Sequence, residues 1–176
     1  MWCVIQVVTG KEREMREACR ERISKDVLKD CFVPLTVRLR KYRSEWRKVR
    51  LPLYPGYVFL VTDSPEALSL ALSKVPGFHK LLKAENTILS LSIEEQMFLE
   101  KICDEDMVAD LSVGYKDGDK ITITSGPLVG LEGSIVRIDR HKRIATVNVT
   151  IFGRVTPTTM GLEVLNKNND DNSKNT

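Results

Sequence analysis

The hydrophobic pattern of this chain changes period at residues 104–118, and that change constrains the fold more than any single motif. Ahead of it, short apolar runs alternate with stripes recurring every three or four residues, the mixture expected of a sheet covered by helices. Beyond it, apolar residues recur at every second position in short runs separated by glycines, as in a small barrel. The acidic, then glycine-containing stretch DEDMVADLSVGYKDG reads as a linker. The predicted fold class is α+β: an antiparallel sheet with covering helices over 1–105, a linker over 106–117, a small all-β barrel over 118–167 and a disordered tail over 168–176. A barrel of about 50 residues sits near the lower limit for an independent core.

Trp2 to Val8 is too short an apolar run for a helix and reads as a buried strand. Thr9 and Glu12 have capping-box spacing, and Met15, Cys19, Ile23 and Val27 lay one apolar stripe on a helix ending near Asp30. Thr36 to Leu53 alternates with period two as a hairpin, and Pro52 argues that its second strand lies at an edge or carries a bulge. A strand follows at Tyr57 to Val61, then a helix from Ser64 and Pro65 to about Ser73. Ser92 and Glu95 form a second capping box before a helix with Ile93, Met97, Phe98 and Ile102 on one side. In the barrel, strands are predicted at Asp119 to Thr124, Ser134 to Ile138 and Ala145 to Ile151.

Several function classes are excluded at this level. No apolar run approaches the ~20 residues needed to cross a bilayer, and the first residues lack a signal peptide's basic flank and cleavage site, so a cytoplasmic protein with no membrane partner is expected. Cys3, Cys19, Cys31 and Cys103 are scattered without C-x-x-C spacing and His79 stands far from His141, which predicts buried or half-buried thiols and neither a metal site nor disulfides. No nucleophile elbow, zincin motif or dinucleotide fingerprint is present, so no enzyme and no cofactor are expected. The glycines from Gly126 to Gly133 lie between two strands, whereas a phosphate loop leads into a helix.

A net charge of +3 identifies no partner, but its distribution is informative. Seven basic residues, Arg38, Arg40, Lys41, Arg43, Arg47, Lys48 and Arg50, stand against Glu45 in the hairpin, interleaved with Tyr42 and Trp46. Cations that track phosphates and rings that accept unstacked bases suit single-stranded nucleic acid. A solvated basic edge that guards against sheet aggregation is the alternative. Arg137, Arg140, His141, Lys142 and Arg143 form a second cluster, opposed by Asp139, between two barrel strands; it reads as an RNA contact or a solvated loop. Trp2, Tyr54, Tyr57 and Phe59 form an aromatic set, and Pro55 and Gly56 place Tyr54 at a turn, where its ring could join a protein-binding patch.

WCVIQVVTGKE at Trp2 to Glu12, LYPGYVFL at Leu53 to Leu60 and VPGF at Val75 to Phe78 resemble the N-terminal (NGN) domain of the NusG family. Gly118 to Ile138 with FGRVTP at Phe152 to Pro157 resembles that family's C-terminal KOW barrel, which is SH3-like. The resemblance implies a monomeric transcription elongation factor that docks on the clamp helices of the largest RNA polymerase subunit and suppresses pausing. It assigns polymerase docking to Trp2, Tyr54 and Tyr57, with Cys3 standing where an aromatic is usual. It assigns contact with non-template DNA to the hairpin bearing Arg38, Arg40, Arg43, Arg47, Lys48 and Arg50, and partner contact to Phe152.

In this family the barrel's partners are ribosomal protein S10, the termination factor Rho or RNA. TTMGLEVL after Pro157, together with the basic loop Arg140 to Arg143, resembles the LoaP branch, whose barrel recognises an RNA hairpin in leader transcripts. That branch implies processive antitermination, with Arg137, Arg140, His141, Lys142 and Arg143 on the RNA and Lys120 and Arg154 as additions. A housekeeping factor whose barrel binds S10 or Rho is the alternative, and a ribosome-associated KOW protein is a third reading. Refolding of the barrel as a helical hairpin is disfavoured by the β-branched strand at Ala145 to Ile151.

Overall fold

A computed structural model describes residues 1–77, 79–84 and 87–166; Phe78 and the Asn- and Asp-rich tail lie outside the described residues. The N-terminal lobe contains β1 (Trp2–Val7), α1 (Glu12–Arg22), β2 (Asp30–Phe32), β3 (Leu35–Tyr42), β4 (Glu45–Pro52), β5 (Tyr57–Val61), α2 (Pro65–Leu72), β6 (His79–Leu81), β7 (Lys83–Ala84), β8 (Thr87–Ile88), α3 (Ile93–Ile102) and β9 (Val108–Ala109). The main sheet is antiparallel in the order β2-β5-β1-β6. β1 and β5 are central and covered on both faces, so they bury runs such as Cys3, Val4, Ile5 and Val58, Phe59, Leu60 rather than alternating. α1 packs on β2 and β5, and Met15 and Cys19 join Ile5, Leu60 and Leu68 in one core cluster.

The basic hairpin stands apart from that sheet. β3 and β4 pair antiparallel through a two-residue turn, Arg43 and Ser44, both at positive φ (45° and 72°). Such a turn matches strand twist but is strained for residues other than Gly, Asn or Asp. β4 is an edge strand, the first of the two placements that Pro52 left open, and β9 adds in parallel to β3 only at Leu35 and Thr36.

The C-terminal lobe contains β10 (Ser112–Asp117), β11 (Lys120–Ser125), a 3-10 turn (Glu132–Ser134), β12 (Ile135–Asp139), β13 (Ile144–Ile151) and β14 (Arg154–Asn166), in the order β11-β10-β14-β13-β12. The expected combination of a helix-covered antiparallel sheet and a small KOW-type barrel is the observed architecture.

Local expectations fail where side chains found unforeseen partners. The stretch read as a linker over 106–117 carries β9 and β10, because each pairs with a strand distant in sequence. β14 was not expected over a segment containing Pro157 and Gly161. Pro157 is tolerated because β14 pairs only with β13 there and reaches β10 only from Leu162 onward. No Thr9 capping box forms: the Glu12 carboxylate accepts from Gly10 N (2.9 Å) and Gly56 N (2.7 Å), tying α1 to the Tyr54 turn. α1 also ends at Arg22 rather than near Asp30, since Ile23 turns extended and the Ser24 carbonyl accepts from Val27 and Leu28.

On α3 the Ser92/Glu95 capping box forms, but the buried face is Glu95, Leu99 and Ile102, and Ile93 and Met97 are exposed. The stripe is displaced because both Glu95 carboxylate oxygens are satisfied, one by Ser92 N (2.8 Å) and the other by Gly153 N of the barrel (2.9 Å). Cys3, Cys19 and Cys31 are buried and Cys103 is half-buried. Burial pushes the Cys103 thiol up to about 12, which leaves it a poor nucleophile at neutral pH.

Candidate docking and nucleic-acid surfaces

The aromatic set assembles, but the barrel covers it. Phe152 lies in the two-residue turn between β13 and β14, at φ 59°, a left-handed conformation that costs a non-glycine residue about 1 to 3 kcal/mol. Its ring stacks on Tyr57 at 4.7 Å between centroids, meets Tyr54 edge-on at 5.3 Å and approaches Phe59 at 5.8 Å. Tyr54, expected at an accessible turn, is only 4% exposed. Its hydroxyl accepts from Thr158 Oγ1 (3.3 Å), and burial raises its pKa well above the ordinary tyrosine value. Tyr57 is half-buried and accepts from Arg154 Nη2 (3.3 Å). Trp2, also half-buried, packs edge-on against Phe32 at 5.0 Å. One hydrophobic cluster runs from Val4, Phe32 and Phe59 through Phe152 to Val147 and Met160, so the two lobes share core.

A second contact joins the lobes at the hairpin. Beyond Thr36 the outer edge of β3 has no strand partner among the described residues of its own lobe, and β14 packs there. Arg38 Nη2 donates to the Thr159 carbonyl (2.8 Å). Gly161 lies directly on β3: a Cβ there would overlap the Val37 carbonyl and stand 2.7 Å from Leu111 Cδ1. Arg143, held at φ 54°, places its guanidinium 4.1 Å above the Trp46 ring and pairs with Glu163 (2.8 Å).

These contacts divide the predicted basic sets. Arg40, Arg43, Arg47, Lys48 and Arg50 are exposed, as is Tyr42, with the Arg43 and Arg47 guanidiniums each 5.5 Å from its ring. Arg38 is half-buried and desolvated, which lowers its pKa; among the described residues its Nε has no partner. In the barrel Arg137, Arg140, His141 and Lys142 are exposed, Arg143 is half-buried against Trp46, and Arg154 is exposed beside Tyr57. Lys120 is exposed elsewhere on the barrel, at the start of β11 and paired with Asp117 of β10. Lys142 N donates to Asp139 (2.9 Å), and this bond holds the Asp139 carboxyl below its ordinary pKa while ordering the loop.

Sequence reasoning missed Glu95, Thr158, Thr159 and Gly161 as parts of the lobe interface. Only the capping-box spacing drew notice to Glu95, and that signal concerns its own helix. A pair of variants separates the two roles. Ser92→Ala should cost about 1 kcal/mol through the lost cap and leave the lobe contact intact. Glu95→Ala should also expose Gly153 N to exchange, read by amide hydrogen exchange at Gly153.

Two family models match the two lobes. A family model described as transcription termination factor nusG matches residues 1–99, and a KOW motif model matches 118–152. The chain is 27% identical to the transcription termination/antitermination protein NusG of Rickettsia bellii over 171 residues, covering 95% of this chain and 90% of that protein. It is 25% identical to the NusG of Thermus thermophilus, covering 89% and 92%. A solved structure concerned with domain interaction in Thermotoga maritima NusG aligns at 23% identity with a TM-score of 0.46, over 91% of this chain and 92% of that one. With the first family model spanning more than half of its 176 residues, the chain belongs to the NusG family of transcription termination/antitermination factors.

Proposed function

We propose that this protein is a processive antitermination factor of the LoaP type, which engages the RNA polymerase clamp helices through its N-terminal lobe and a leader RNA hairpin through its barrel. The observation that carries the RNA assignment is the β12–β13 connection, where Arg140, His141 and Lys142 are consecutive and exposed, next to β12 with its exposed Arg137, which pairs with Asp139 at 3.9 Å. Double-stranded RNA presents phosphates and a narrow major groove, so a short cationic loop can grip it by shape and charge. The proposed clamp contact uses Trp2, Tyr54 and Tyr57. Tyr54 lies beneath Phe152 in this arrangement, so docking through it requires the barrel to move aside. The closed and open arrangements are then two states, and the clamp favours the open one by its differential affinity. Once free, the exposed cations of β3 and β4 can lie along non-template DNA.

The alternative, a housekeeping factor whose barrel takes S10 or Rho, draws on Phe152, which would pass from Tyr57 to a protein partner. Titrating the full chain with structured leader RNAs, against tRNA competitor and across a salt series, decides between them. The LoaP-type reading expects hairpin-selective binding that Arg140→Ala with Lys142→Ala weakens at least tenfold, with a salt slope lower by about two. Binding indifferent to RNA structure and to those substitutions would overturn it and favour the protein-partner reading.

A further inference from the structure

The two basic clusters, separated by about a hundred positions in sequence, meet in the folded chain, and the contact is made by their own residues. Arg143 of the barrel loop lies over Trp46 of the hairpin at 4.1 Å. The register of β3 and β4 pairs Lys41 with Trp46, Leu39 with Lys48 and Val37 with Arg50, so Lys41, Lys48 and Arg50 share one sheet face with the ring that Arg143 covers. All three are exposed. On the barrel side, Arg140, His141 and Arg143 line a groove with Glu163, Val164 and Leu165. Glu163 is already neutralised by Arg143 at 2.8 Å.

We propose that these residues form a single composite RNA-binding surface, spanning both lobes and complete only when the lobes are together, with Lys41, Lys48 and Arg50 tracking the phosphates of a stem whose neighbouring segment is held by Arg140, His141 and Lys142. This deepens the RNA reading of the barrel loop and rests on it. Charge decides the class of ligand: a solvated cationic face that continues across a domain boundary fits a polyanion longer than one loop can span. A folded RNA stem carries phosphates on two strands and reaches both clusters at once. The Trp46–Arg143 contact orients the junction rather than taking a base, because the indole face is occupied by the guanidinium.

Linkage adds a consequence. A ligand that touches both lobes stabilises the closed arrangement, whereas clamp docking through Tyr54 requires it to open. The RNA therefore keeps only its barrel contacts once polymerase is engaged, and the hairpin cations become free for another strand.

The test uses the full chain and one structured hairpin RNA, with single-stranded DNA of the same sequence as a second probe, followed by fluorescence anisotropy. Lys48→Glu with Arg50→Glu, both exposed and outside the lobe contact, is expected to weaken RNA binding about tenfold or more and to reduce its salt slope. Gly161→Val, which separates the lobes without replacing any of the proposed RNA-contacting cations, should weaken it comparably. If the barrel-loop substitutions weaken binding and the hairpin substitutions do not, the composite surface is wrong and the barrel-only reading stands. If neither set matters, both readings fall. Equal affinity for the single-stranded DNA would overturn RNA as the ligand of this surface.

Discussion

Phe152→Asn should separate the two lobes without unfolding the barrel. The phenyl ring is buried between Tyr54, Tyr57 and Phe59, and losing a ring in such a site costs about 3 kcal/mol or more. All of that loss falls on the closed state, which shifts the closed-to-open ratio about a hundredfold or more. Asparagine is chosen because the residue sits at φ 59°, a conformation asparagine tolerates and phenylalanine does not favour, so the β13–β14 turn should be relieved rather than strained. Small-angle scattering should report an expanded particle. Binding to a clamp-helix fragment of polymerase should tighten, because Tyr54 no longer has to be uncovered first. An unchanged particle with weaker clamp binding would mean that Phe152 does not hold the lobes and that Tyr54 is not a docking residue.

Gly161→Val should break the other half of the interface. The position is buried and pairs with Ile144 in β13, and valine suits a strand, so the barrel's own pairing is not challenged. The obstacle is β3: a Cβ overlaps the Val37 carbonyl, and backbone cannot step aside as a flexible side chain would. Relief by separation should remove the Arg38–Thr159 bond and lift Arg143 from Trp46, at a cost to the closed state of about 1 to 3 kcal/mol. The emission of Trp46 should shift to the red as its ring gains water. Gly161→Ala should show a smaller shift in the same direction, and valine without any spectral change would place the lobe contact elsewhere.

Much of the fold was legible in the chain because it rests on local periodicity. The apolar runs of β1 and β5, the alternation in β3, β4 and β13, the edge or bulge signalled by Pro52 and the Ser92 cap each depend on residues a few positions apart. The strands β2, β9 and β10 were not legible, because each pairs with a segment far away in sequence, and β14, paired along its first half with the adjacent β13, carries a proline and a glycine that argue locally against a strand. Exposed apolar residues on α3 were misplaced for the same kind of reason: the buried Glu95 is satisfied partly by Gly153, 58 positions away.

By itself the sequence determined the two-part architecture, the position of the aromatic set and the two basic clusters, since composition and period are properties of neighbouring residues. Only the tertiary structure decided what those features face. Tyr54 is covered because Phe152 enters from the other lobe, Arg38 and Arg143 are partly withdrawn from the basic sets by Thr159 and Trp46, and Gly161 is glycine because another strand passes where its side chain would be. Whether a cation meets solvent or a ring meets a partner depends on surfaces brought together across about a hundred residues, and no local pattern encodes that meeting.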